Sequence, residues 1–177
     1  MRYRRANVTG GTYFFTVNLA QRHLCLLVDH VDVLRAAVKA VKQKHPFYID
    51  AFVVLPDHLH AIWTLPENDA DFATRWMLIK AGFSRCMAKG EHRNISRTQK
   101  GERGIWQRRY WEHLIRDERD YEQHVNYIHY NPVKHRHVKL AAEWAYSSIH
   151  RYIMTGMIEH DWSGHVANNS EGGYGER

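Results

Sequence analysis

The stretch "VVLPDHLHAIWTLPE", Val53–Glu67, decides the fold. Two apolar runs flank Pro56 and Asp57, and together with the preceding "YIDAF" they read as two strands joined at a tight turn. Strand side chains alternate between faces. Leu59, Ala61, Trp63 and Leu65 therefore share a core face, and His58, His60, Ile62 and Thr64 share the other. That second face carries two imidazoles about 7 Å apart in Cα terms. Two such groups can converge on one cation, or can simply be satisfied by hydrogen bonds on a half-exposed strand.

Outward from this hairpin, strands and helices alternate. "TYFFTVNLA", Thr12 to Ala20, is aromatic and β-branched and reads as a strand. "DHVDVLRAAVKAVKQKHP" places Leu34, Ala37, Val38 and Val41 at helical spacing and stops at Pro46. "DADFATRWMLIKAGFSRCMAKG" aligns Phe72, Trp76, Ile79, Phe83 and Met87 as an apolar stripe, a core face and not a cofactor box. "GEHRNISRTQKGERG", Gly90 to Gly104, is polar and basic and reads as a loop. "IWQRRYWEHLI" reads as a strand and "DERDYEQHVNYIHYNP" as a helix ending near Pro132. "EWAYSSIHRYIM" reads as a short helical segment. The presence of a hairpin among these elements predicts α+β, helices packed on an antiparallel sheet, over a doubly wound parallel sheet.

The chain has 177 residues, enough for one domain with its own core. No apolar run reaches the ~20 residues that span a bilayer. The start, "MRYRRANVTGG", is charged and is not followed by the apolar region of a signal peptide, so a cytoplasmic location is expected. Cys25 and Cys86 are isolated and suggest neither a disulfide framework nor a thiolate zinc site. Lysine and arginine exceed acids by 25 to 19, with ten tyrosines and six tryptophans. Cations for phosphates and rings for unstacked bases suit nucleic acid, although basic charge alone is weak evidence.

A second constellation lies in "DYEQHVNYIHYNPVKH". Helical spacing puts Tyr121, Val125 and Ile128 on a core stripe, and Asp120, His124, Tyr127 and Asn131 on another. Tyr127 is thus flanked, one turn either way, by a residue able to hold a metal. The bland alternative is an amphipathic helix half buried on the sheet. Ile62 stands where a histidine-triad nucleotide hydrolase needs a third histidine. A closed zinc site lacks its four good ligands.

His-x-His on a strand, followed by a tyrosine and a polar residue four positions on in a helix, resembles the HUH single-tyrosine nucleases. "GGTYFFTVNL", "FVVLPDHLHAIWTLP", "IWQRRYWEHLIRDERDY", "HVNYIHYNPVKH" and "WAYSSIHRY" resemble, more closely, the REP-associated tyrosine transposases. The resemblance runs from about Tyr3 to Trp162. It implies a ferredoxin-like HUH nuclease fold over residues 1–163, with the HUH strand near the sheet centre, while 164–177, ending in "ANNSEGGYGER", reads from its composition as a flexible tail. It implies cleavage and rejoining of single-stranded DNA at palindromic hairpin (REP) elements through a 5′-phosphotyrosine intermediate. His58 and His60 become metal ligands and Tyr127 the nucleophile. Asn131 stands where the wider family often has a glutamine ligand, with His124 as the alternative. Arg136 stands where relatives often have a glycine, so the helix exit is expected to differ.

The implied cofactor is a divalent metal, Mg²⁺ or Mn²⁺, with Mn²⁺ taking imidazole more readily. The implied partner is single-stranded or hairpin DNA; neither a membrane nor a nucleotide cofactor is expected, and the protein would be a monomer or homodimer. Phosphate contacts are expected from Arg108, Arg109, Lys134, the Gly90–Gly104 loop and the N-terminal Arg2, Arg4 and Arg5. Tyr3, Tyr13 and Trp106 are candidates to stack on bases. Two rival functions stay open. One is a hairpin-binding protein of the same fold without cleavage, and the other an HUH replication initiator or relaxase.

Overall fold

The computed structural model describes residues 7–90, 93, 95–164 and 174–176. Four strands form one antiparallel sheet: β1 (Thr12–Asn18), β2 (Tyr48–Val54), β3 (His58–Thr64) and β4 (Trp111–Leu114), in the order β2-β3-β1-β4. Between β1 and β2 run α1 (Leu26–Asp29) and α2 (Val31–Lys44), and between β3 and β4 run α3 (Phe72–Cys86) and α4 (Ile95–Gln99). This is the ferredoxin-like arrangement, and the His-x-His strand β3 is central in it. After β4 come α5 (Glu118–Lys134), a 3₁₀ turn (Ala141–Glu143) and α6 (Ile149–Met154).

The two sheet faces have different covers. Leu59, Ala61, Trp63 and Leu65 pack with Trp76, Ile79 and Phe83 of α3 and Leu34 and Val41 of α2. Trp63 stacks on Trp76 with ring centroids 4.1 Å apart. Helices α2 and α3 thus bury one face by their apolar stripes. The other face, through Phe14, Val53 and Ile62, packs on Val125, Tyr127 and Ile128 of α5 and Tyr152 of α6. The histidine face is therefore not half exposed. His58 and His60 are fully buried under α5.

Three element boundaries differ from expectation. The segment Ile105–Ile115 is not one strand: only Trp111–Leu114 pairs along β1, and Leu19 bridges to Trp106. The consecutive polar residues Gln107–Arg109 break the alternation a strand needs. Gly90–Gly104 includes the helical turn α4. Helix α5 runs through Pro132 to Lys134. Proline removes one backbone donor, but Asn131 and Pro132 are buried against the core, and packing holds the helix. The helix then closes with the backbone amide of His137 donating to the carbonyl of Pro132 (2.9 Å) and that of Arg136 to Val133 (2.9 Å). This is a Schellman motif, and Arg136 holds its left-handed position with φ 60°. Among the described residues no helix is long and apolar enough to cross a membrane.

Candidate active site

The site forms where β3, β1 and α5 meet. His58 and His60 project from β3 toward α5, their ring centroids 5.0 Å apart. The turn residue Asp57 accepts a hydrogen bond from Nδ1 of His58 at 2.7 Å and is also bonded by Arg22. Burial raises the Asp57 pKa, but His58 and Arg22 outweigh it and draw it down to about 2. The strand register sets Thr16 of β1 opposite His60. The Thr16 hydroxyl donates to the carbonyl of Tyr174 and lies 2.9 Å from Nδ1 of His60. Nε2 of His60 faces Oε1 of Glu176, 3.1 Å away. Burial holds the His60 pKa down at about 3, which keeps the ring neutral.

Both imidazoles thus have Nδ1 fixed by a neighbour and Nε2 turned inward. Metal-binding histidines are oriented in this way, by a carboxylate or hydroxyl behind them. The donor atoms of His58, His60 and Glu176 all lie within 4.8 Å of one another. Among the described residues, Nε2 of His58 and Oδ1 of Asn131 are buried without a hydrogen-bond partner. Buried acceptors without a donor are costly. A divalent cation would satisfy them, so the residues present fit such an ion.

Helix α5 supplies the other half. Tyr127, Asn131 and Lys134 face the histidines. The ring of Tyr127 lies 5.2 Å from that of His60. Lys134 Nζ donates to the Tyr127 hydroxyl at 2.9 Å. The Glu176 carboxylate sits among these groups. It accepts from Tyr127, from Asn131 Nδ2 (2.9 Å) and from Lys134 (2.8 Å). Burial, and then the Glu176 charge, push the Tyr127 phenol well above its ordinary pKa. Tyr130 faces elsewhere and packs against Gly164, and Tyr121 packs in the second core cluster.

His124 is not brought to the histidine pair. The Phe14 ring stands between, 4.8 Å from His124 and 5.5 Å from His60. His124 joins His113 and Asp120 instead, with the two imidazoles stacked at 4.7 Å. Asp120 accepts from His113 (2.9 Å) and Arg116 (2.9 Å). Asn131 is the polar neighbour that reaches the site.

The basic residues divide. Lys134 reaches the Tyr127 hydroxyl while 40% of its side chain stays exposed. Arg108 and Arg109 are exposed just before β4, and Arg108 is engaged by Glu102 and Ser96. Because Thr16 pairs with both Trp111 and His60, this loop leaves the sheet at the end that holds the histidines. Arg2, Tyr3, Arg4 and Arg5 lie outside the described residues. Tyr13 and Trp106 are buried in the core and present no face to a base, which corrects their assignment as stacking platforms. Sequence reasoning missed Asp57, Thr16 and Glu176 as members of the site. Asp57 was legible as the neighbour of the first histidine. Thr16 required the strand register. Glu176 comes from the segment read as a flexible tail, where nothing in its polar, glycine-rich composition signals a docked residue.

A buried His-x-His on the central strand of a ferredoxin-like sheet, facing a tyrosine on a covering helix, defines the HUH nuclease fold. No family model matches the chain. It is 46% identical over 170 residues to a REP-associated tyrosine transposase of Escherichia coli (strain K12), covering 96% of this chain and 95% of that one. It is 44% identical to a putative REP-associated tyrosine transposase of Haemophilus influenzae over 92% of this chain and 93% of the relative. The solved structure of a REP-associated tyrosine transposase bound to a REP hairpin matches with a TM-score of 0.84 and 45% identity, over 100% of this chain and 98% of that one. The chain belongs to the REP-associated tyrosine transposases.

Proposed function

We propose that this protein cleaves and rejoins single-stranded DNA beside palindromic hairpins, forming a 5′-phosphotyrosine on Tyr127. The observation that carries this is the meeting of the Tyr127 hydroxyl, the Lys134 ammonium and the two buried imidazoles between β3 and α5. A divalent cation held by His58, His60 and Asn131 would bind the scissile phosphate oxygens and stabilise the charge that develops on them. Mn²⁺ is the favoured ion, since imidazole suits it better than Mg²⁺.

The residues divide the remaining work. Tyr127 attacks phosphorus, the P–O3′ bond breaks, and a 3′-hydroxyl leaves. A phenol is a poor nucleophile while protonated. Lys134, 2.9 Å from the hydroxyl, stabilises the phenolate as its proton departs. Phe14, packed at 6.0 Å on Tyr127, holds the ring against the sheet and keeps water from that side. The phosphotyrosine conserves the phosphoester, so transfer to a second 3′-hydroxyl needs no nucleotide cofactor. The exposed Arg108 and Arg109, at the same end of the sheet, would contact the DNA backbone. The hairpin as substrate is supported by the relative solved with a REP hairpin.

The test is incubation with a REP-type hairpin oligonucleotide and Mn²⁺, followed by a denaturing gel. Wild type should yield a covalent adduct, and Tyr127→Phe none. Tyr130→Phe should retain it. Binding without cleavage by wild type would favour the non-catalytic alternative. A 5′-phosphate mapped to Tyr130 by mass spectrometry would overturn the assignment of the nucleophile.

A further inference from the structure

An apolar groove lies across the sheet from the histidines, on the α2 side, and none of the roles above uses it. It encloses about 370 Å³ between α2 and the segment 145–148. We infer that it docks an acidic amphipathic helix of a partner protein. This goes beyond the chemistry proposed for Tyr127 and does not depend on it.

The floor follows from a bulge. Strand β2 shifts register between Ile49 and Ala51, with Asp50 the extra residue. A bulge re-aims the side chains on either side of it. Ala51 and Val53 therefore pack in the cluster under α5, while Ile49 joins Phe52 on the α2 side. Ile49 and Phe52 stay half-buried there, as does Val38 of α2. Val31, Leu34 and Val54, all buried, complete the apolar lining. Apolar side chains gathered in a concavity with a charged rim mark a contact surface, which scattered ones do not.

The walls select the occupant. Segment 145–148 runs along the outer edge of β2: the Val54 amide donates to the Tyr146 carbonyl at 2.9 Å, and the Ser148 amide to the Phe52 carbonyl at 2.8 Å. Arg151 and Tyr152 donate to the carbonyls of Ile49 and Asp50. The strand edge is thus taken, and an extended peptide cannot add to it as a further strand. Recognition then comes through side chains laid in the groove, the mode of an amphipathic helix. The opposite wall is basic. Arg35, Lys39 and Lys42 form one exposed stripe of α2, at steps of four and three, bordering Leu34 and Val38. The Arg35 guanidinium lies over the Tyr146 ring, 5.9 Å from its centroid, and so spans the two walls. Among the described residues that line the groove, none is acidic. A partner helix therefore needs carboxylates beside its apolar face, set against Lys39 and Lys42. A second copy of this chain, groove to groove, would set three cations against three. A nucleic acid would find cations for its phosphates but little for its bases. The floor is mostly aliphatic, and the Ser147 and Ser148 hydroxyls already accept from backbone amides.

The test presents the full chain to a displayed library of random peptides about 16 residues long, with Val38→Asp as the counter-target. Peptides enriched on wild type should repeat apolar residues three and four apart, with Asp or Glu beside them. Fluorescently labelled and titrated by anisotropy, they should bind the double variant Lys39→Glu, Lys42→Glu at least about tenfold more weakly. Replacing their carboxylates by lysine should restore binding to that variant. Both lysines are exposed, so the double variant should keep the wild-type circular dichroism spectrum even if Val38→Asp folds poorly. The inference is overturned if no sequence is enriched over the counter-target, if the enriched peptides lack carboxylates, or if the lysine reversal leaves their affinity unchanged. It is overturned in favour of a second copy if wild type sediments as a dimer that Val38→Asp dissociates. It is overturned in favour of single-stranded DNA if oligo-dT displaces the peptides from the groove.

Discussion

Asp57→Asn should damage stability and metal affinity together, because one carboxylate serves both. Asp57 is buried beside His58 and Arg22, with only 17% of its side chain exposed. Its folded pKa of about 2 lies below the unfolded value of about 3.9. A depressed carboxylate stabilises the fold above its unfolded pKa and loses that contribution as pH falls through the folded one. At pH 7 the difference is worth about 2 kcal/mol. Asparagine keeps the shape and one acceptor oxygen, so about 1–2 kcal/mol of it should disappear, a drop in Tm of roughly 2–8 °C for a chain this long. The gap between wild type and variant should narrow to about half by pH 3. In the site, loss of the carboxylate behind a ligating histidine typically costs about 10–100-fold in metal affinity. Urea unfolding at pH 7 and pH 3 measures the first effect, and Mn²⁺ titration the second. A stability gap equal at both pH values, or Mn²⁺ affinity within about twofold of wild type, would refute the role given to Asp57.

Glu176→Ala removes the carboxylate bonded to Tyr127, Asn131 and Lys134. On the mechanism proposed above, the scissile phosphate would need the same groups, so cleavage of the hairpin at fixed Mn²⁺ should rise by about tenfold or more, each 1.4 kcal/mol of relieved competition being worth a factor of ten; a gel time course measures it, and a fall would contradict the competition. Arg136→Gly relieves a left-handed residue at the end of α5 and should raise stability by about 1 kcal/mol, seen as a Tm increase of roughly 2–4 °C. His129 is buried beside Ser148, and burial holds its pKa down at about 3. A histidine kept neutral by burial stabilises above its unfolded pKa of about 6.5 and costs stability as pH falls below it, so His129 alone should remove about 2 kcal/mol between pH 8 and pH 5. His129→Gln should flatten that slope in urea titrations.

The sequence by itself determined the sheet, its central histidine strand and the tyrosine helix. Periods of two and 3.6 are local signals, and a strand with Leu59, Ala61, Trp63 and Leu65 on one side leaves no freedom about which side carries His58 and His60. The same periodicity grouped Tyr127 with Asn131, and the structure keeps them together. It also grouped His124 with them. Only the tertiary structure separated His124, because the Phe14 ring fills the space between it and His60. Burial of the histidine face was not legible either, since alternation identifies a face but not what covers it; that was decided by α5 closing over the sheet. Pro132 looked like a stop because its missing donor is a local property, whereas the packing that carries the helix past it is not. Thr16 and Glu176 entered the site through strand register and docking of a distant segment. Those are relations between parts far apart in the chain, and no periodicity records them.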